Sequence, residues 1–224
     1  MYLMVGTRPD LAQPFSVLSQ FLVSPRRVLW EAALRLLAYV RATATVGHRY
    51  TGEAPGSLPR VIGMSDASWA THVDDCTSQA GYFFNLCGDA VSWRSYRIKR
   101  VVHSSTEAEY VTCCDASRQV EYHINVLGEL GLYEAGGGLQ IFTDSKGEEA
   151  LVGNPVPRQR TKHIGAPYHY VRQLVQEGVV DFQRVASKDN AANILTKGNS
   201  RPFHSMACHK FGLTVEDSPV FILR

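Results

Sequence analysis

The chain has 224 residues, 45% hydrophobic and 20% charged, ordinary globular values that leave ample apolar material for one main domain and an appendage. A formal net charge of +2 gives no overall basicity, so affinity for a polyanion must come from local clusters. The five cysteines (Cys76, Cys87, Cys113, Cys114, Cys208) have no paired CxxC or Cys/His spacing, which disfavours a disulfide framework or zinc site and fits a reducing, intracellular setting. Residues 1–6 are broken at once by Arg8, Pro9 and Asp10, and no apolar run approaches the roughly 18 residues that cross a bilayer, so no membrane partner is expected.

From the N-terminus, residues 8–45 read as a helical hairpin. Leu11, Phe15, Val17, Leu18, Phe21 and Leu22 give one 3.6-period stripe, and Trp30, Ala33, Leu34, Leu37 and Val40 another, with Ser24-Pro25 between them. This helical segment (1–50) ends in a linker (51–59) rich in Gly and Pro. An α/β domain (60–200) follows, opening with strands at Arg60–Ala67, Gly81–Leu86 and Ala90–Ser95, the last two joined by a Cys87-Gly88-Asp89 turn. The longest helix is expected over Ser105–Leu130, with Ser105 or Thr106 as cap, Ala116, Val120, Ile124 and Leu127 as core stripe and Gly131 as stop.

Next come a strand (Leu139–Thr143), a short helix (Ser145–Leu151), a helix near Tyr168–Gln176, a strand (Val179–Val185) and a last helix (Asp189–Leu195). A tail (201–224) closes the chain, and residues 214–224 suggest no role. Three meandering strands followed by strand-helix alternation imply an α/β fold with a mixed sheet flanked by helices, because later strands join in parallel only through crossovers.

Three acids border these elements: Asp66 on the first of these strands, Glu107 in the first turn of the long helix, and Asp144 at the exit of Leu139–Thr143. Singly, each reads equally well as a cap or border residue. Together, at strand exits where open sheets bind ligands, they suggest a divalent-metal site, since converging buried acids are costly unless a cation holds them.

The blocks Gly6-Thr7-Arg8-Pro9-Asp10-Leu11-Ala12, Ser65-Asp66-Ala67-Ser68-Trp69-Ala70, Ser92-Trp93 and Ser104-Ser105-Thr106-Glu107-Ala108-Glu109-Tyr110 occur in order. Thr143-Asp144-Ser145, Asn154-Pro155, Arg160-Thr161-Lys162-His163-Ile164 and Ala192-Asn193-Ile194-Leu195-Thr196-Lys197 continue the series. With these blocks the chain resembles the C-terminal end of the reverse transcriptase plus the ribonuclease H domain of a copia-type LTR retrotransposon Pol polyprotein. The resemblance implies a ribonuclease H-like mixed five-stranded sheet and a metal-dependent endonuclease that hydrolyses the RNA strand of an RNA-DNA hybrid. It further implies two Mg²⁺ ions, held by Asp66, Glu107, Asp144 and the residue at 193, that activate water and stabilise the leaving oxygen. The remainder of a reverse transcriptase is a second implied partner, and the expected location is intracellular: cytoplasm, retrotransposon particles or nucleus.

The sequence departs from the family at Asn193, where Asp is usual. A neutral carbonyl oxygen attracts a cation less than a carboxylate does, so weaker occupancy of the second ion and slower cleavage are expected, with partial rescue by Mn²⁺. Asp189, four residues earlier, is expected on the same helical face, where the geometry allows reach without fixing it, so substitution by it is disfavoured. After Lys162-His163-Ile164 the chain has Gly165-Ala166-Pro167, which either kinks a helix or merely shifts its start. Val73-Asp74-Asp75 lacks the flanking apolar strands of a polymerase turn and is not read as one.

Two basic clusters suit a nucleic-acid backbone: Arg94, Arg97, Lys99 and Arg100 beside Trp93 and Tyr96, and Arg158, Arg160, Lys162 and His163. Among these, Arg94, Arg97, Lys99, Arg100, Arg160 and Lys162 are the candidate contacts, while His103 and His163 read more simply as structural. The alternative to a nuclease is a catalytically weak or inactive hybrid-binding or interaction module. An integrase is disfavoured by the block after Asp66 and by the missing zinc-ligand pattern.

Overall fold

A computed structural model of the chain describes residues 1–50, 58, 60–71, 76–133, 138–144 and 165–215. Helices α1 (Tyr2–Gly6), α2 (Ala12–Ser19) and α3 (Arg27–Ala42) come first, followed by strand β1 (Val46–His48). The three-strand meander is β2 (Val61–Ser68), β3 (Gln79–Leu86) and β4 (Asp89–Arg97), and α4 (Ser105–Glu129) is the long helix. Then come β5 (Leu139–Thr143), α5 (Gly165–Gln176), β6 (Val180–Arg184), 3₁₀ turns at Ser187–Asp189 and Ala191–Leu195, α6 (Arg201–Lys210) and β7 (Leu213–Val215).

The main sheet has the order β4-β3-β2-β5-β6. Its first three strands pair antiparallel, while β5 joins β2, and β6 joins β5, in parallel. This is the ribonuclease H-like mixed five-stranded sheet expected from the sequence. Alternate β3 side chains divide between two cores, as the strand period of two requires. Tyr82 and Phe84 pack with Tyr110, Ala116 and Val120 of α4 and with Val171 and Leu174 of α5. Phe83 packs on the other face with Leu195, Phe211 and Leu213.

A polar cluster ties the N-terminal helices to one another, while Ala12 and Met4 join the second core and Trp93 reaches across from the sheet. Arg8 makes a two-pronged ion pair with Asp10 (2.9 and 2.7 Å) and also donates to the Thr43 carbonyl (3.0 Å), while the Tyr39 hydroxyl donates to Asp10 at 2.6 Å. The Trp93 indole N–H donates to the Met4 carbonyl at 2.7 Å. Both partners of the ion pair are buried, so Asp10→Ala leaves an unpaired buried guanidinium and is expected to cost about 3–5 kcal/mol in urea denaturation.

The outer side of α3 differs from the sequence reading. Trp30 (64%), Leu34 and Leu37 (62%) are exposed, and the helix turns its Tyr39 and Val40 side inward instead. The C-terminal segment also differs, because β7 pairs antiparallel with β1 and α6 lies in the second core. Gly212, at φ +75°, has no room for a side chain beside Asp89, the buried carboxylate that meets His48 Nδ1 at 2.5 Å.

Pro167 falls in the first turn of α5, where a missing N–H costs no helical hydrogen bond. The helix expected at Ser145–Leu151 lies outside the described residues. No described helix is long and apolar enough to cross a membrane.

Candidate active site

The site forms where β2 and β5 end. Their parallel register pairs Met64 with Phe142, which sets Asp66 level with Asp144 two residues later. On the other side of β2, Asp66 is opposite Gly81. A Cβ at Gly81 would collide with Leu195, so the glycine lets the Ala191–Leu195 turn lie directly on the sheet and bring its C-terminal end to Asp66. The Thr196 hydroxyl donates to Asp66 Oδ2, and the Lys197 ammonium lies 3.7 Å from the same oxygen. Asn190, fully buried, donates to the Ser65 carbonyl (2.9 Å) and to Asp144 Oδ1 (3.3 Å) and accepts from the Ala192 N–H.

The third carboxylate at this point is Glu109, not Glu107. One oxygen from each of Asp66, Glu109 and Asp144 lies within 4.8 Å of the others. Glu107 belongs to the start of α4: Ser104 accepts from the Glu107 N–H (3.1 Å), and Glu107 Oε2 accepts from the His103 N–H (2.7 Å). Its other oxygen lies 3.5 Å from Arg100. Residues two apart on a helix point about 200° apart, so Glu107 and Glu109 cannot serve one pocket. The Ser104-x-x-Glu107 spacing is a capping-box signature, and it was the signal in the sequence that separates the two acids.

Burial, with Asp66 and Asp144 as lesser causes, pushes the Glu109 carboxyl up to about 9. Burial likewise raises Asp66, against the opposing influence of Lys197 and Thr196. Glu109 Oε2 and Asn193 Oδ1 are buried without a hydrogen-bond partner. An all-oxygen donor set with an orphan carboxylate oxygen suits a hard divalent cation, which would supply the missing partner and favour the charged acids.

The cation-free chain should therefore lose stability as pH rises. Glu109 binds its proton more tightly folded than unfolded, so its contribution is full below about 4.5 and is lost as pH climbs through about 9. Adding Mg²⁺ or Mn²⁺ at pH 8–9 should raise Tm in a thermal melt, at about 2–4 °C per kcal/mol of binding free energy for a chain of this size.

Asn193 is buried and donates to the Ser187 carbonyl at 2.7 Å. Asp189 is not on its face. The backbone is extended at Asn190 (φ −81°, ψ 98°), whose side chain caps the second turn, so the expected helix is split and Asp189 is exposed.

Arg94, Arg97, Lys99 and Arg100 line a groove of about 900 Å³ together with Phe15 and Ser16 of α2 and Val111 and Asp115 of α4. Arg94 stacks on Tyr96, 4.3 Å from the ring centre. Arg160, Lys162, His163 and Val73-Asp74-Asp75 lie outside the described residues.

Pol polyproteins of plant transposons match nearly the whole chain. That of transposon TNT 1-94 from Nicotiana tabacum is 36% identical over 200 residues, and that of RE2 from Arabidopsis thaliana 35% over 207, covering 88% and 92% of this chain. The chain belongs to the retrovirus-related transposon Pol polyproteins. The chain spans 14% of the length of those relatives.

Secreted RxLR effector protein 161 of Plasmopara viticola is 44% identical over 119 residues, 53% of this chain and 82% of the relative. Among solved structures, LC11-RNase H1, isolated from compost, is similar at 15% identity and a TM-score of 0.47, over 61% of this chain and 92% of that one. No protein-family model matches the chain.

Proposed function

We propose that this chain is a metal-dependent endonuclease of ribonuclease H type that hydrolyses the RNA strand of RNA-DNA hybrids, attenuated by Asn193. The observation that carries this reading is the convergence of Asp66, Glu109 and Asp144, with one Glu109 oxygen left unpartnered. These acids would hold Mg²⁺ or Mn²⁺, with the Asn193 carbonyl as a weak additional donor. Bound divalent ions in such a site polarise the attacking water and stabilise charge on the leaving oxygen.

The chain's own residues do the positioning. Thr196 and Lys197 orient Asp66, and Asn190 orients Asp144. The water proton passes to solvent or to a phosphate oxygen, so no residue need form a covalent intermediate. Arg94, Arg97, Lys99 and Arg100 would hold backbone phosphates along their groove, giving affinity that falls steeply with salt. Residues 60–200 would form the nuclease, with residues 1–50 as the end of a reverse transcriptase.

End-labelled RNA-DNA hybrid, single-stranded RNA and duplex DNA, incubated with Mg²⁺ and with EDTA, test the reading. Cleavage confined to the RNA of the hybrid and abolished by EDTA is expected; cleavage that survives EDTA would contradict it. Asn193 also supports a second reading, a module that binds hybrid and cleaves it weakly or not at all. Asn193→Asp should accelerate cleavage at least about tenfold, because a carboxylate holds a divalent ion more strongly than an amide; equal rates would discard the attenuation.

A further inference from the structure

We propose that Asp10, His204 and Cys208 form a second metal site, which takes a thiophilic divalent ion such as Zn²⁺ and pins the N-terminal segment to α6. One donor atom from each of the three lies within 4.8 Å of the others. His204 and Cys208 are four residues apart on α6 and so share a face. Both follow the last block shared with the family, residues 192–197. A lone His-x-x-x-Cys spacing is no zinc pattern by itself, and Asp10 becomes the third donor only when the N-terminal segment meets α6.

The geometry is close to what the ion needs. His204 Nδ1 and Cys208 Sγ are 3.6 Å apart. Zinc bonds of about 2.0 Å to nitrogen and about 2.3 Å to sulfur, opened to a tetrahedral angle, separate those two atoms by roughly 3.5 Å. Arg8 donates to both Asp10 oxygens, and the Tyr39 hydroxyl donates to Oδ2. A carboxylate has about four lone-pair sites, so these three donors leave one on Oδ1. Arg8 then fixes the ligand from outside, as outer partners of metal ligands do.

The donor chemistry selects the ion. The Arg8 charge opposes a hard cation held by charge alone, so sulfur and nitrogen must supply the grip, which suits Zn²⁺ and not Mg²⁺. Burial holds His204 below its usual range, against the influence of Asp10, which keeps the ring in the neutral form that ligates. Burial raises the Cys208 thiol, so the incoming ion displaces its proton.

Titration of the full chain with Co²⁺, a stand-in for Zn²⁺ read by absorption, tests the proposal. A thiolate bound to Co²⁺ gives a near-ultraviolet charge-transfer band that carboxylate ligands do not. The chain should develop this band with one Co²⁺ per molecule; Zn²⁺ should abolish it and Mg²⁺ should not. Cys208→Ser should lose the band, and His204→Gln, which keeps the thiol, should weaken Co²⁺ binding at least about tenfold. Asp66→Asn alters only the acids at the strand ends and should keep both band and affinity.

A parent chain without the band overturns the proposal. So does a band that survives in Cys208→Ser, which would place the ion on another of the five cysteines, or His204→Gln binding as tightly as the parent. None of these outcomes bears on hybrid cleavage, so the nuclease reading stands or falls separately.

Discussion

Asp66→Asn is expected to reduce hybrid cleavage by at least about 10³-fold while leaving the fold as stable or more so. Asp66 lies at the centre of the group, level with Asp144, beside Glu109 and in contact with Thr196 and Lys197. Its carboxyl is held above its usual range by burial, so the folded chain already carries a cost for that charge, and a neutral amide of the same shape removes it. Loss of an electrostatic group that acts on the transition state costs about 10²–10³-fold in characterised enzymes, and a central ion ligand should cost at least as much. Thermal melts of the cation-free variant should match or exceed the parent, while the rise in Tm caused by Mg²⁺ should shrink. A variant that cleaves within tenfold of the parent would remove Asp66 from the chemistry.

The second large effect separates two neighbouring acids. Glu109→Gln should lower cleavage by at least about 10²-fold, for the same electrostatic reason. It should also flatten the fall in stability between pH 4.5 and about 9, because the raised carboxyl that causes it is gone. Glu107→Gln should keep most of the activity. An amide can still accept from the His103 N–H, and the exchange forfeits mainly the ion pair at 3.5 Å to the half-exposed Arg100, worth about 0–1 kcal/mol. Steady-state cleavage rates for the pair read this directly. Greater damage from the Glu107 change than from the Glu109 change would reverse the assignment.

The contrast marks how far the sequence could be read. Short apolar runs and the breakers beside them located β2, β3, β4 and β5 to within a residue or two; burial alternates along β5 and the start of β2, whereas β3 is covered on both faces. The convergence of Asp66 with Asp144 followed from strand exits alone. Choosing between Glu107 and Glu109 turned on the cap of α4, because both acids sit near the helix start and only the Ser104-x-x-Glu107 spacing ties one of them to it.

Other parts had weaker signals. Strands β1 and β7 are three residues each, too short for any period to register, and they pair across almost the whole chain. Asp189–Leu195 read as one helix. Asn190 breaks it by capping its own turn and bonding to Ser65 and Asp144, contacts that exist only once the sheet is assembled. Thr196 and Lys197 reach Asp66 for the same reason, through the absence of a side chain at Gly81.

Anomalous diffraction from crystals of the chain soaked in Mn²⁺ tests the central claim most directly. The account predicts an anomalous peak bound by oxygens of Asp66, Glu109 and Asp144, with Glu107 still at the start of α4 beside His103. Manganese bound elsewhere, or the three carboxylates turned to separate surfaces with no ion between them, would contradict it.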